Sequence, residues 1–332
     1  LPLSDEKLNI KENSDHFIVT KVTTLNIKES FYLSKDNCVL IKNESDDSEK
    51  EIEFSNFLNA SVLKSLADSI VAGSKTFNIP AFNKIQDKLG LSIINGGNSN
   101  QKADIVLDIN NKEISKSNQG FGIKSYLGSK PTLLNASGNT NFIFEITGIR
   151  ADCIDIVNNI DTKTKLKDRI EKIHELNGRF NFKKIETESM HYNLSMVDSL
   201  IPNIVSSMLL EFYLHRTSSI KLNLKSIFNK GHSFDTDLQS LEVKIKRLLV
   251  SILLGFFAGK KWDGKYVANG AIVVKEDGEQ VGFHIIDIAS LENYLFEHVK
   301  FDTPSTTRHR YGSLILENDG KIYFKLNMQL RF

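Results

Sequence analysis

Carboxylates and a lysine stand at strand spacing in the stretch from Lys102 to Thr147. Ala103–Asn110 is a β-branched-rich run carrying Asp104 and Asp108, and Asn110-Asn111 is a turn signal at its end. Phe121–Ser125 reads as a second short strand with Lys124 near its end. Asn141–Thr147 reads as a third with Glu145 near its end. Side chains alternate across a strand, so Asp104 and Asp108 share one face, and Gly122 and Lys124 share one face of the next strand. Paired strands lie ~4.8 Å apart, which allows Asp104 to sit beside Lys124. A carboxylate so placed can hold a hard divalent cation through oxygen. Such a cation polarises a phosphate and lowers the pKa of a bound water. The lysine would orient that water and offset charge on the phosphate. The chemistry is metal-dependent hydrolysis of a phosphodiester. An Asp and a Lys on neighbouring strands also fit an ordinary solvated pair, and the pattern alone leaves both readings open.

The wider wording is more specific. An Asp, a hairpin and then Glu/Asp-x-Lys form the core of the PD-(D/E)xK nucleases, and Gly122-Ile123-Lys124 resembles the last element with glycine in place of the usual acid. GFGIKSYLGSKPTLLNASGNTNFIFEI resembles the HpaII-type family of type II restriction endonucleases. So do KKWDGKYVANGAIVVKEDG, FDTPSTTRHRYG and GKIYFKLNMQLRF, in the same order, over about Asp104 to Phe332. The resemblance implies a mixed α/β (α+β) fold: a PD-(D/E)xK core sheet flanked by helices, with helical and hairpin additions. It implies Mg²⁺-dependent, sequence-specific cleavage of double-stranded DNA, with CCGG as the type member's site. Asp104 is then the first metal ligand and Lys124 the water-positioning lysine. The Ile123 carbonyl is an oxygen donor, and Glu145 or Asp108 completes the shell in place of the acid missing at Gly122. Glu145 is preferred because it lies on the next strand of the same block. A palindromic site implies a two-fold homodimer, since the protein's symmetry then matches that of the DNA. A cognate DNA methyltransferase is implied as a genetic partner.

Two further stretches could meet DNA. Between Leu127 and Asn141 the chain is rich in small hydrogen-bonding side chains. It reads either as a surface loop or, with the resemblance, as a loop placing Lys130, Thr132, Asn135, Ser137 and Asn141 on phosphates. Thr303–Arg310 shows no apolar periodicity, so it is expected to be neither helix nor buried strand. Composition allows an exposed basic loop. The resemblance, together with arginine's bidentate fit to guanine O6 and N7, puts Arg308 on a base and Arg310 on a phosphate. Ser305 or Thr307 would then fix the loop.

Composition bounds the rest. The chain has 332 residues, 25% charged and 40% hydrophobic, with net charge +1. That is the make-up of one large or two modest globular domains. The net charge neither demands nor excludes nucleic acid, because a DNA cleft needs a local basic surface. Cys38 and Cys153 are the only cysteines, which fits a reducing compartment and no disulfide framework. No run of ~18 apolar residues and no signal peptide is visible, so a cytoplasmic, non-membrane protein is expected. The sequence opens on Leu1 rather than Met, which raises the expectation of missing residues upstream. Asn95-Gly96-Gly97-Asn98 is not a phosphate loop, because no Gly-Lys-Ser/Thr follows. Gly231, His232, Asp235 and Asp237 lack a fourth spaced metal ligand, and Lys7–Lys11 reads as surface.

Around these residues the chain divides into a small α/β region (1–60), a core with the hairpin (61–150), a helical insertion (151–240), and a closing helix with β-hairpins (241–332). Short strands are expected at Phe17–Thr23, Ser30–Leu33 and Cys38–Ile41. Helices are expected at Asn59–Ala72, Ile79–Leu89, Asp152–Leu176, Ser195–Ser219 (with Pro202 in an early turn or at a break) and Leu238–Ala258. Two rival functions stay open: a repair or recombination nuclease of the same fold, and a DNA-binding module whose catalytic site has decayed, as Gly122 would allow.

Overall fold

The computed structural model describes residues 18–24, 29–33, 38–43, 46–53, 64, 102–110, 115–231 and 234–332. Residues 7–11, 79–89 and 95–98 lie outside the described residues. So does the helix expected at 59–72, apart from Lys64, which is helical. Among the described residues no helix is long and apolar enough to cross a membrane.

The first strands are β1 (Ile18–Thr24), β2 (Glu29–Leu33), β3 (Cys38–Asn43), β4 (Glu49–Glu53), β5 (Ile105–Asn110) and β6 (Ser115–Ser125). Then come β7 (Thr132–Leu134), β8 (Asn141–Thr147), β9 (Arg179–Ile185), β10 (Gly270–Val274) and β11 (Gln280–His284). The last are β12 (Lys300–Asp302), β13 (Leu314–Leu316), β14 (Ile322–Asn327) and β15 (Gln329–Arg331). The helices are α1 (Cys153–Asn158), α2 (Lys165–Glu175), α3 (Glu188–Val197), α4 (Ile201–His215), α5 (Ile220–Asn229), α6 (Leu238–Leu254), α7 (Ile288–His298) and α8 (Thr306–His309). The fold is mixed α/β. Contacts divide it into two units, Leu1–Lys130 with Val267–Ile285, and Pro131–Tyr266 with Ile286–Phe332.

The first unit holds one eight-stranded sheet, in the order β11-β10-β6-β5-β1-β2-β3-β4. Its pairs are antiparallel except β6 with β10, which run parallel. A parallel neighbour cannot follow its partner through a tight turn, and here it arrives from far along the chain. Alternation along β5 puts Ile105, Leu107 and Ile109 on one face. There they pack with Phe121 of β6 and Ile272 of β10. Asp104, Gly122 and Lys124 belong to the opposite face.

The second unit has two small antiparallel sheets, β12-β15-β7 and β13-β14-β8-β9, and all the named helices. The β8 strand is buried at five of its seven positions, and Phe142 and Phe144 are completely enclosed. Phe180 and Phe182 of β9 pack edge-on or tilted against them, so β9 meets the core through its phenylalanines. The α6 helix starts where the Asp237 carboxylate accepts the Ser240 N–H at 2.8 Å, a side-chain N-cap. It buries nine residues, Leu241 through Leu254, and ends at Gly255. A Cβ at Gly255 would come within 3.1 Å of the Trp262 ring, so the aromatic closes over the helix end only because that residue is glycine.

Two expected long helices are each broken in two. Between α1 and α2, the Thr162 and Thr164 hydroxyls both donate to Asp168, and this local bonding competes with a continuous helix. Between α3 and α4, Asp198 accepts the Leu200 N–H at 2.9 Å and pairs with Lys244, while Pro202 takes the first turn of the new helix.

Candidate active site

The site starts from the end of the β5–β6 pair. The register sets Ile105 opposite Phe121, and the Asp104 N–H donates to the Phe121 carbonyl at 2.7 Å. Here β5 ends, and the ladder continues through a side chain. The exposed Asp104 carboxylate accepts the Ile123 N–H at 2.6 Å. On the other side of β6, Asn269 does the same for β10. Its side-chain oxygen accepts the Gly120 N–H at 2.9 Å, and its own N–H donates to the Gly120 carbonyl at 2.7 Å. The β10 register then sets Ala271 beside Gly122 and Val273 beside Lys124, both apolar neighbours buried to 1% exposure. Residues 120 and 126 of this segment bond towards β10, and 121 and 123 towards β5. The N–H and C=O of one strand residue point the same way, so the Ile123 carbonyl is directed to the Asp104 side.

Two lysines share this face. Lys124 is half-buried, and burial lowers its pKa against the opposing pull of Asp104. Lys102, which the sequence reading did not single out, is half-buried too. Burial first, and then the charge of Lys124, push its pKa down to about 8. Its only sequence signal is its place two residues before Asp104, which in extended chain puts both side chains on one face.

Gly122 marks a close approach. A Cβ there would lie 2.7 Å from the Lys102 carbonyl oxygen and 3.9 Å from Asp104 Oδ2. The place where the usual acid would start is occupied by main chain, so a glutamate cannot simply be restored at this position.

The other carboxylates are engaged elsewhere. Asp108 Oδ1 accepts the N–H of Asn118, whose φ is 56°, and thereby closes an irregularity where the β5–β6 register shifts. Four residues of strand separate Asp108 from Asp104 by about 13 Å, too far for one ion to be shared. Glu145 is not on a strand next to β6, whose neighbours are β5 and β10. It lies on β8 in the four-stranded sheet of the second unit, with Lys183 at 3.0 Å and Lys321 at 3.2 Å. Hydrogen bonds from Lys183 and then Lys321 hold its carboxyl below the usual range.

The donors beside Lys124 are therefore oxygens: the Asp104 carboxylate and a main-chain carbonyl. Among the described residues no three His, Cys, Asp or Glu side chains form a cluster. An all-oxygen set with few carboxylates fits a small hard cation that keeps several of its waters, as Mg²⁺ does.

In the second unit the 303–310 segment is not the irregular loop expected. Ser305 Oγ accepts the Arg308 N–H at 3.3 Å and caps the one-turn helix α8, after which Arg310 turns left-handed with φ 51°. The turn rests on a buried network. Tyr311 donates to the Pro304 carbonyl at 2.7 Å. Asn141 donates to the His309 carbonyl at 3.0 Å and to Glu186 at 2.7 Å. Asn327 donates to Asn141 Oδ1 and to the Ser137 carbonyl, both at 2.7 Å, and Tyr213 donates to the Asn327 carbonyl at 2.8 Å. Burial raises the pKa of Tyr213 and takes that of Tyr311 to about 12, so both phenols keep their donor protons.

Asn141 is 1% exposed, which corrects its expected place on a phosphate. Its burial under α8 explains the polar residue that opens an otherwise apolar strand. Ser137 is half-buried with its carbonyl in the network, and Thr132 sits in β7 opposite Arg331. Lys130, Asn135, Thr307, Arg308 and Arg310 are exposed. Beside α8 lies a cavity of about 380 Å³, walled by Lys163, Lys165, Lys167 and Arg216 on one side and Pro304–Thr307 on the other.

The family model described as HpaII restriction endonuclease matches residues 1–332. The type II restriction enzyme HpaII of Haemophilus parainfluenzae is 31% identical over 309 residues, which covers 92% of this chain and 85% of that protein. No solved structure gives a significant match.

Proposed function

The chain belongs to the HpaII restriction endonuclease family and is a type II, sequence-specific endonuclease of DNA; we propose that its chemistry resides in Asp104, Ile123 and Lys124. The observation that carries this reading is the Asp104 carboxylate on the Ile123 N–H, with half-buried Lys124 on the same face. A divalent cation, Mg²⁺ in this reading, would be held by Asp104 and the Ile123 carbonyl. When bound, such a cation offsets charge on the phosphate and acidifies a water. Lys124 Nζ orients the attacking water and meets the phosphate oxygen. Ala271 and Val273, buried beside it on β10, keep bulk water from that side of the lysine. Attack on phosphorus breaks one P–O ester bond in each strand. In this reading the hairpin sheet is a PD-(D/E)xK core.

The exposed guanidiniums of α8 supply recognition. Arg308 reads guanine, Arg310 holds a phosphate, and the Lys163–Lys167 and Arg216 wall offers further phosphate contacts. Lys130 and Asn135 are candidates for the same work, with Thr132, Ser137, Ser305 and Thr307 positioning their loops. The target in this reading is a CCGG-like palindrome, cut by a homodimer, with a methyltransferase protecting the host's own sites. Digesting a sequenced plasmid with Mg²⁺ and mapping the ends by run-off sequencing tests it. Discrete fragments ending in one sequence support it. Structure-dependent nicks point to a repair nuclease, and binding without any cleavage points to a decayed module.

A further inference from the structure

The acid absent at Gly122 leaves the cation short of an anionic ligand, and the structure shows what fills the space. The chain before Asp104 crosses the face of β6 over Gly122. The Lys102 carbonyl oxygen lies 2.7 Å from the point where a Cβ would stand, in the space that a side-chain carboxylate at this position would fill. Asp104 Oδ2 is 3.9 Å from the same point. We propose that the main-chain carbonyl of Lys102 stands in for the missing carboxylate, as an oxygen donor to the cation that Asp104 and the Ile123 carbonyl hold. This rests on the metal site proposed above. Hard cations take main-chain carbonyls as well as carboxylates into their oxygen shells. A neutral donor costs the site one negative charge, which leaves less repulsion towards an incoming phosphate. It also accounts for glycine at 122, since any side chain there would displace the oxygen.

The chain itself supplies a clean probe, because Lys is followed by Ala only once, at Lys102-Ala103. Protein carrying ¹³C-carbonyl lysine and ¹⁵N alanine gives one amide-to-carbonyl correlation, from that peptide. Adding Mg²⁺ alone should shift its carbonyl frequency, saturating together with the heat measured by titration calorimetry, and Asp104→Ala should abolish both. If Mg²⁺ binds in an Asp104-dependent way and the carbonyl does not move, the proposal is overturned while the site stands. If no Asp104-dependent binding occurs, the site reading falls and takes the proposal with it. As a second arm, Gly122→Ala must push the carbonyl away and should weaken Mg²⁺ binding by about 10-fold or more, the scale seen when a metal shell is disturbed. A folded Gly122→Ala protein with unchanged Mg²⁺ affinity would also overturn it.

Discussion

The hairpin around Lys124 and the turn around Arg308 hold their charged groups by opposite means. In the hairpin, the reactive side chains are themselves the structure. Asp104 replaces a ladder bond, and the lysines are half-buried with their pKa values pushed down. In the turn, the arginines are exposed, with no carboxylate partner among the described residues. Neutral amides and phenols beneath them carry the backbone. The difference follows from the task. A group that orients water and meets changing charge gains from an environment that tunes it. A guanidinium that reads a base must keep its charge and its fork unaltered, so it needs placement alone. A fully satisfied buried network supplies that placement, because it has one low-energy arrangement.

The largest effect should come from Asp104→Ala. It removes the one side-chain carboxylate proposed to hold the cation, and cleavage should fall by at least ~10³-fold, more than loss of a typical transition-state donor. The variant also loses the bond to the Ile123 N–H, so the unfolding midpoint should fall somewhat, while DNA binding by the folded protein should persist, equal or stronger because a negative charge is gone. Cutting by this variant at an appreciable rate would remove Asp104 from the site. Lys124→Arg comes next and tests whether tuning matters. A planar, permanently charged fork cannot replace a compact ammonium with a lowered pKa, and the rate should drop by about 10²-fold. A wild-type rate would mean that Lys124 is a simple phosphate clamp, which erases the contrast with the arginines.

Asn141→Ala attacks the other side of the comparison. It strips the His309 carbonyl and the Asn327 amide of their partner in a site that is 1% exposed. One unsatisfied buried group costs about 1–3 kcal/mol, so urea unfolding should show a loss of about 3 kcal/mol. Mg²⁺ binding by the folded protein should be unchanged, while discrimination between DNA sites declines. Equal loss of metal binding would show that the two segments are not held independently.

How much of this could be read from sequence varies in the same way. Strand alternation places Asp104 and Lys124 on one face, because alternation depends only on neighbours in the chain. The role of β10 could not be read, since nothing local in Gly270–Val274 says that it will run parallel beside Phe121–Ser125. The β6 strand is longer than the expected Phe121–Ser125, since its first half, Ser115–Gln119, is polar and mostly exposed and carries no apolar alternation in the sequence. Asn141 resembled a DNA-facing residue because a buried amide and an exposed one look alike in sequence. Only the partners at His309, Glu186 and Asn327 tell them apart. Gly122 was legible as a departure, but its cause, the Lys102 main chain, is a tertiary contact.

Within the turn, two arginines separate readout from attachment. Arg308→Ala should cost about 1–3 kcal/mol of discrimination at one base pair, seen in a binding series over single-base variants of the site. Arg310→Ala should weaken every variant alike and reduce the slope of affinity against salt by about one phosphate's worth. If Arg308→Ala also weakens every variant equally, the turn is a backbone clamp and the readers lie elsewhere, with Lys130 and Asn135 the next to test.

The smallest effect should come from Glu145→Ala, and it decides where the metal shell ends. In sequence Glu145 looked like the relocated acid. In the structure it lies on β8 between Lys183 and Lys321, whose hydrogen bonds lower its pKa. A carboxyl whose folded pKa lies below its unfolded value adds stability above the unfolded pKa, and that contribution is lost as pH falls through the folded one. Glu145→Ala should therefore be slightly less stable than the parent at neutral pH, and thermal unfolding curves of the two should converge on acidification. Its Mg²⁺-dependent cleavage at neutral pH should match the parent's. If Glu145→Ala instead stays folded and cuts as poorly as Asp104→Ala, the second carboxylate does come from β8. The Lys102 carbonyl is then not its replacement, and the hairpin no longer holds the cation alone.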